Sequence, residues 1–168
     1  NKDMATVARM IANHGQVKKN DHHMEGRNSR LDGLQAAVLN VKLPYLNKWN
    51  EQRISNALIY NKLLAGCKDI ITPSVKDNSK HVYHVYCIRT TKRNELKAYL
   101  EAKGINTAIH YPTALPNMKA YEYLNNTSDK YPVASSYQGE ILSLPMFPEL
   151  TKQQIEFICT AIRDFFGN

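Results

Sequence analysis

Residues 26–30 read GRNSR and set one amide, Asn28, between two guanidinium groups, Arg27 and Arg30, just ahead of an apolar-periodic stretch. That grouping suits an anion. The amide offers neutral N–H donors, the arginines add charge, and the start of a helix adds its own unpaired backbone N–H groups. Gly26 would permit the backbone turn that brings these groups together. From the residues alone a plainer assignment stands beside it, in which Asn28 or Ser29 caps the helix and the arginines are solvated. The second chemical candidate is His110 in IHYP, at the end of a predicted strand and beside Tyr111. An imidazole there could bind a carboxylate or a sugar hydroxyl, or it could be structural.

Other reactive side chains form no comparable grouping. His22 and His23 are adjacent and diverge, while His81 and His84 fall on opposite faces of a strand, so no metal site is expected. No serine–histidine–acid order and no glycine-rich phosphate loop is present. Cys67, Cys87 and Cys159 are far apart and odd in number, and the last two sit in apolar runs. They read as buried thiols in a reduced, cytoplasmic compartment. A net charge of +7 would suit an anionic partner, but the basic residues are scattered and no stacked aromatic platform accompanies them. Solvated faces are expected, not a nucleic-acid surface. No apolar run approaches membrane-spanning length and no signal pattern opens the chain, so a soluble protein is expected.

The elements that must position these groups follow from periodicity. The chain has 168 residues, 43% of them hydrophobic, enough for a real core. An opening helix is expected over NKDMATVARMIANHG, with Asp3 as cap, Met4, Val7, Ala8 and Ile11 on one face, and Gly15 at its end. Residues 16–28 look like a polar loop. From Ser29 a helical period carries Leu31, Leu34, Val38 and Val41, interrupted by Pro44. A further helix carries Trp49, Ile54, Leu58 and Leu64 and ends at Gly66. This long N-terminal helical arm, residues 1–66, needs a partner surface for its apolar stripe. Beyond it, residues 67–168 read as a small α+β domain, an antiparallel or mixed sheet covered by helices. Strands are expected in KHVYHVYCIRT, INTAIHYP and ILSLPMFP, with a possible extra one in DIITP. Helices are expected in RNELKAYLEAKG, around Met118–Leu124, in YPVASSYQGE and in TKQQIEFICTAIRDFF, with a polar loop at NNTSDK.

Taken in order, RMIANHG, GRNSRLDGLQAAVLNVKLPYLNKWNEQR, HVYHVYCIR, GINTAIHYP and LSLPMFPELTKQQI resemble the C-terminal part of the DegT-type aminotransferases. These are nucleotide-sugar enzymes of fold-type I that depend on pyridoxal phosphate, and the resemblance covers essentially the whole chain. It implies a parent reaction in which an amino group moves from an amino acid such as glutamate to a nucleotide-linked keto-sugar. It also implies that the Schiff-base lysine lies upstream, in a large domain that this sequence lacks. The chain would then be a truncated domain, inactive alone and with no pyridoxal phosphate expected bound to it. By the same resemblance Asn28 would hold the cofactor phosphate across a dimer interface in a complete enzyme, with Arg30 beside it. His110 and Tyr111 would meet the substrate. The sequence departs from the family pattern at TALPNMKAY, where another histidine is common, and at Phe147, where many relatives carry histidine. A homodimer through the helical arm is expected, as is a possible partner supplying the large domain. Two alternatives stand beside this reading: a non-catalytic dimeric binding or assembly module, and half of an enzyme completed by another chain.

Overall fold

A computed structural model describes residues 1–125 and 128–167. Asn126 and Thr127, inside the expected polar loop, and the terminal Asn168 lie outside the described residues. The chain forms two compact units, residues 1–46 and 47–168.

In the first unit, α1 (Lys2–Ala12) is capped by Asn1, whose side chain accepts from the Asp3 and Met4 amides. Asp3, the expected cap, instead sits in the first turn, where its charge suits the helix dipole. The segment expected as a polar loop contains an antiparallel hairpin, β1 (Gln16–Lys18) with β2 (Asp21–His22). Asn20 takes the left-handed conformation in its turn, which asparagine tolerates better than most residues. The next helix, α2 (Gly33–Lys42), starts later than the apolar period suggested, because Asp32 accepts from the Gln35 amide and ends the preceding extended backbone. Pro44 falls in a short 3-10 turn, Leu43–Tyr45, that leads directly into α3 (Leu46–Leu64). Leu31, Leu34, Val38, Leu39 and Val41 are all exposed.

The chain divides after Leu46, not after Gly66 as the composition shift suggested. The reason is α3 itself. Ala57, Tyr60 and Leu64 lie on one of its faces and are buried in the core of the second unit. Leu58, counted in the sequence-based stripe, is 60% exposed on another face.

In the second unit the sheet is built on β3 (Tyr86–Arg89). It is followed by α4 (Arg93–Ala102), α5 (Pro132–Glu140), β4 (Ile141–Leu144) and α6 (Lys152–Phe166). β3 and β4 are antiparallel, in register as Tyr86 with Leu144, Cys87 with Ser143, Ile88 with Leu142 and Arg89 with Ile141. The two flanking segments expected as strands contribute one bridge each. Ile71 pairs with Arg89 on the β3 edge, and Ala108 pairs with Ser143 on the β4 edge. The expected helix near Met118 is a 3-10 helix, Lys119–Leu124.

Alternation explains which strand residues go inside: Tyr86 and Ile88 from β3 and Leu142 and Leu144 from β4 are buried. From α6 the residues Ile155, Ile158, Cys159 and Ile162 join them at helical spacing, as do Leu96 and Leu100 from α4. Each such burial is worth about 1.5–3 kcal/mol. α6 is started by a capping box between Thr151 and Gln154 and ended by Gly167 at positive φ. α3 also grips the chain just after β4. Tyr60 donates its hydroxyl to the Pro145 carbonyl at 2.9 Å, and Asn56 donates its amide to the Phe147 carbonyl at 3.1 Å. These two bonds fix the path of residues 145–147, of which Pro145 and Met146 line the hollow at His110 described next.

Candidate functional site

The first unit holds the GRNSR segment against the end of α1 through backbone hydrogen bonds. Arg27 N–H donates to Ile11 O at 2.7 Å, His14 N–H to Arg27 O at 3.0 Å, and Ser29 N–H to Ala12 O at 2.8 Å. Asn28 is bridged to Asn13. Such close apposition requires that Gly26 have no side chain, since a Cβ there would sit 2.2 Å from the Gly15 nitrogen. Because Asp32 caps α2, neither Asn28 nor Ser29 is used as a helix cap. Asn28 meets Arg30 instead: the guanidinium Nε donates to the Asn28 amide oxygen at 3.2 Å. A guanidinium has no acceptor, so this contact sets which way the amide points. The group Asn28 then presents to an outside anion is its NH2, with the Arg30 charge beside it.

The second unit places His110 over β4. Ser143 sits in the middle of β4 with its backbone N–H and C=O both bonded to Ala108, at 2.7 and 3.1 Å. Two residues on from Ala108, on the same face, His110 brings Nδ1 to 2.9 Å from the Ser143 hydroxyl. Tyr111 follows through a cis peptide and is 72% exposed, its ring edge-on to the imidazole at 5.7 Å between centroids. A hollow of about 280 Å³ opens here, with His84, Thr107, His110, Ser143 and Met146 in its lining. Thr107 contributes a buried hydroxyl oxygen with no hydrogen-bond partner among the described residues. Cys87, opposite Ser143 in the ladder, has its thiol pushed up by burial, while the nearby Ser143 hydroxyl, the Leu142 backbone and the charge of Arg89 pull it back. A larger hollow of about 580 Å³ near Phe147 and Phe157 is mainly apolar and offers no acid, base or charged group.

The sequence-based candidates therefore fall in two places: Asn28 with Arg30 in the first unit, and His110 with Tyr111 in the second. Three other histidines serve local geometry. His22 donates from Nδ1 to the His14 carbonyl at 2.8 Å, His23 lies 3.0 Å from the Asp21 carboxylate, and His81 accepts from the Tyr83 amide. Among the described residues no cluster of three or more His, Cys, Asp or Glu side chains could hold a metal ion, and no helix is long and apolar enough to cross a membrane. Ser143 was missed by sequence reasoning. Its signal was there, as a lone hydroxyl at the centre of the apolar strand ILSL, where a buried polar group needs a partner.

Comparison with known proteins gives these sites a context. The sequence matches the DegT/DnrJ/EryC1/StrS aminotransferase family over residues 1–163. It is 40% identical to a pleiotropic regulatory protein of Geobacillus stearothermophilus, over 98% of this chain and 45% of that protein. It is 36% identical to a dTDP-3-amino-3,4,6-trideoxy-alpha-D-glucose transaminase of Streptomyces venezuelae, over 97% of this chain and 43% of the relative. Among solved structures, that of S. venezuelae DesV in complex with a ketimine intermediate superposes with a TM-score of 0.95 at 35% identity, covering 100% of this chain and 45% of DesV. The chain thus spans less than half the length of these relatives. With the family matched along nearly the whole sequence and the fold superposing throughout, this chain belongs to the DegT/DnrJ/EryC1/StrS aminotransferase family.

Proposed function

We propose that these residues form the C-terminal portion of a pyridoxal-phosphate-dependent aminotransferase that moves an amino group from an amino acid such as glutamate to a nucleotide-linked keto-sugar. The observation that carries this reading is the Arg30–Asn28 contact, in a chain whose relatives include sugar transaminases. The donor set fits a phosphate: an oriented NH2, an adjacent guanidinium and a rigidly held backbone. Pyridoxal phosphate, when bound, supplies the electron sink through which an amino group can be exchanged. The residues of this chain bind and orient. Asn28 donates to the cofactor phosphate of a neighbouring subunit, and Arg30 holds the amide in that direction and adds charge. His110 offers its outer nitrogen to substrate, and Tyr111 flanks it with an exposed ring.

The exposed row Leu31, Leu34, Val38, Leu39 and Val41 supports a homodimer through the helical arm, because burying several such side chains is worth about 1.5–3 kcal/mol each. The free cysteines support a cytoplasmic location. None of the lysines here stands in the family's Schiff-base motif, so these 168 residues alone are expected to be inactive. A titration with pyridoxal phosphate, followed by borohydride reduction and intact mass, tests the assignment. The expected result is no stoichiometric adduct on the chain alone, and activity once the large domain is supplied. A single reduced adduct on one lysine of this chain would overturn it.

A further inference from the structure

Ser143 is 4% exposed, and its backbone is fixed from both sides, by Cys87 in the ladder and by Ala108 at the bridge. Its hydroxyl is buried beside the imidazole, and what remains open is the direction of its proton. Two acceptors compete for that proton: Nδ1 of His110 at 2.9 Å, and the sulfur of Cys87. A neutral imidazole nitrogen is a strong acceptor and a thiol sulfur a weak one. Burial keeps the Cys87 thiol protonated, and a weak S–H contact to the Ile88 carbonyl at 3.7 Å gives it an outlet of its own. The reverse arrangement, Nδ1–H donating to the serine oxygen with the hydroxyl turned to sulfur, leaves that proton on the weaker acceptor, so the hydroxyl proton is assigned to His110. Once Nδ1 accepts, the ring proton must reside on the other nitrogen.

We infer that Ser143 is a positioning residue that holds neutral His110 as the Nε2–H tautomer, so that His110 meets its substrate as a hydrogen-bond donor to an acceptor oxygen and not as a base. A sugar hydroxyl oxygen, carbonyl or phosphate oxygen fits that donor; an ammonium group does not. Only the identity of the substrate rests on the aminotransferase reading above. The tautomer is a property of the chain itself.

Long-range 1H–15N spectra of the imidazole rings in the 168-residue chain at alkaline pH test this directly. His110 should show Nε2 protonated and Nδ1 as a hydrogen-bonded acceptor. In Ser143→Ala the Nδ1 resonance should move toward that of an unbonded imidazole nitrogen, and in Ser143→Thr, which keeps the hydroxyl, it should return. Methyl spectra that match the wild type show that the fold is intact in each variant. An Nδ1–H tautomer in the wild-type chain, or an Nδ1 resonance unmoved in a folded Ser143→Ala, overturns the inference. In the complete aminotransferase carrying these residues, Ser143→Ala should raise KM for the sugar substrate about three- to tenfold, with kcat less affected, and threonine should restore it. If the Nδ1 resonance responds as expected but His110→Ala leaves KM unchanged, the substrate role of His110 falls while the tautomer stands. If His110→Ala raises KM and the resonance does not respond, the Ser143 inference falls and the aminotransferase reading stands.

Discussion

Arg30 donates its Nε–H to the amide oxygen of Asn28 over 3.2 Å, and this one contact turns an asparagine of a surface loop into an oriented donor. The direction is forced, because a guanidinium can approach an amide only at its oxygen. In a complete aminotransferase, Asn28→Ala should weaken pyridoxal phosphate binding about tenfold or more, since hydrogen bonds to charged groups are worth roughly 1.5–3 kcal/mol. Asn28→Asp should be worse, as it keeps a partner for Arg30 but replaces the donors with a negative charge facing phosphate. Spectrophotometric titration of the cofactor gives both values. Unchanged affinity in Asn28→Ala would remove Asn28 from the cofactor site.

The segment that carries Asn28 depends on a missing side chain. A Cβ on Gly26 would meet Gly15 N at 2.2 Å, His14 C at 2.7 Å and Ile11 O at 2.9 Å, all of them backbone atoms that cannot swing aside. Gly26→Ala should cost about 1–3 kcal/mol of local stability. The amides of His14, Arg27 and Ser29, which hold the segment to α1, should exchange faster in the variant. Equal protection in the two proteins would show that the backbone can part without loss.

Two substitutions on α3 separate its buried and exposed faces. Tyr60→Phe leaves the Pro145 carbonyl without its partner at 2.9 Å and should destabilise the chain by about 1–3 kcal/mol in urea unfolding. Leu58→Ala, on the exposed face, should stay within about 0.5 kcal/mol. The reverse order would mean that α3 packs through the wrong face.

Alkaline pH should unfold the second unit before it affects much else. Burial pushes the Cys159 thiol up to about 12 from an ordinary 9.0, and it also raises the Tyr60 and Tyr86 phenols above their usual 10.0. The folded state thus keeps protons that the unfolded chain releases. Stability from these groups is fully present below about pH 9 and is lost as pH rises toward 12. Urea midpoints should be flat near neutrality and fall above pH 9, with the onset delayed in Cys159→Ala. A midpoint that rises with alkaline pH would contradict the burial of all three groups.

The sequence by itself determined the features that depend on near neighbours along the chain. The spacing of Ile155, Ile158, Cys159 and Ile162 specifies α6, the Thr151–Gln154 pair starts it, and alternation at Tyr86 and Ile88 marks β3. The grouping of Asn28 with Arg30 was also legible, because two residues in one short loop are brought together by local backbone. What the tertiary structure decided were relationships over long separations. Periodicity says that a helix has an apolar face but not which surface will cover it, so α3 was expected with the arm and packs instead with the sheet. The expected strand around Ala108 shrinks to a single bridge with Ser143. The hydrogen bonds between His110 and Ser143, Tyr60 and Pro145, and Asn56 and Phe147 span 33, 85 and 91 residues. No local pattern encodes such pairs; they exist because burying the core fixes where those side chains come to rest.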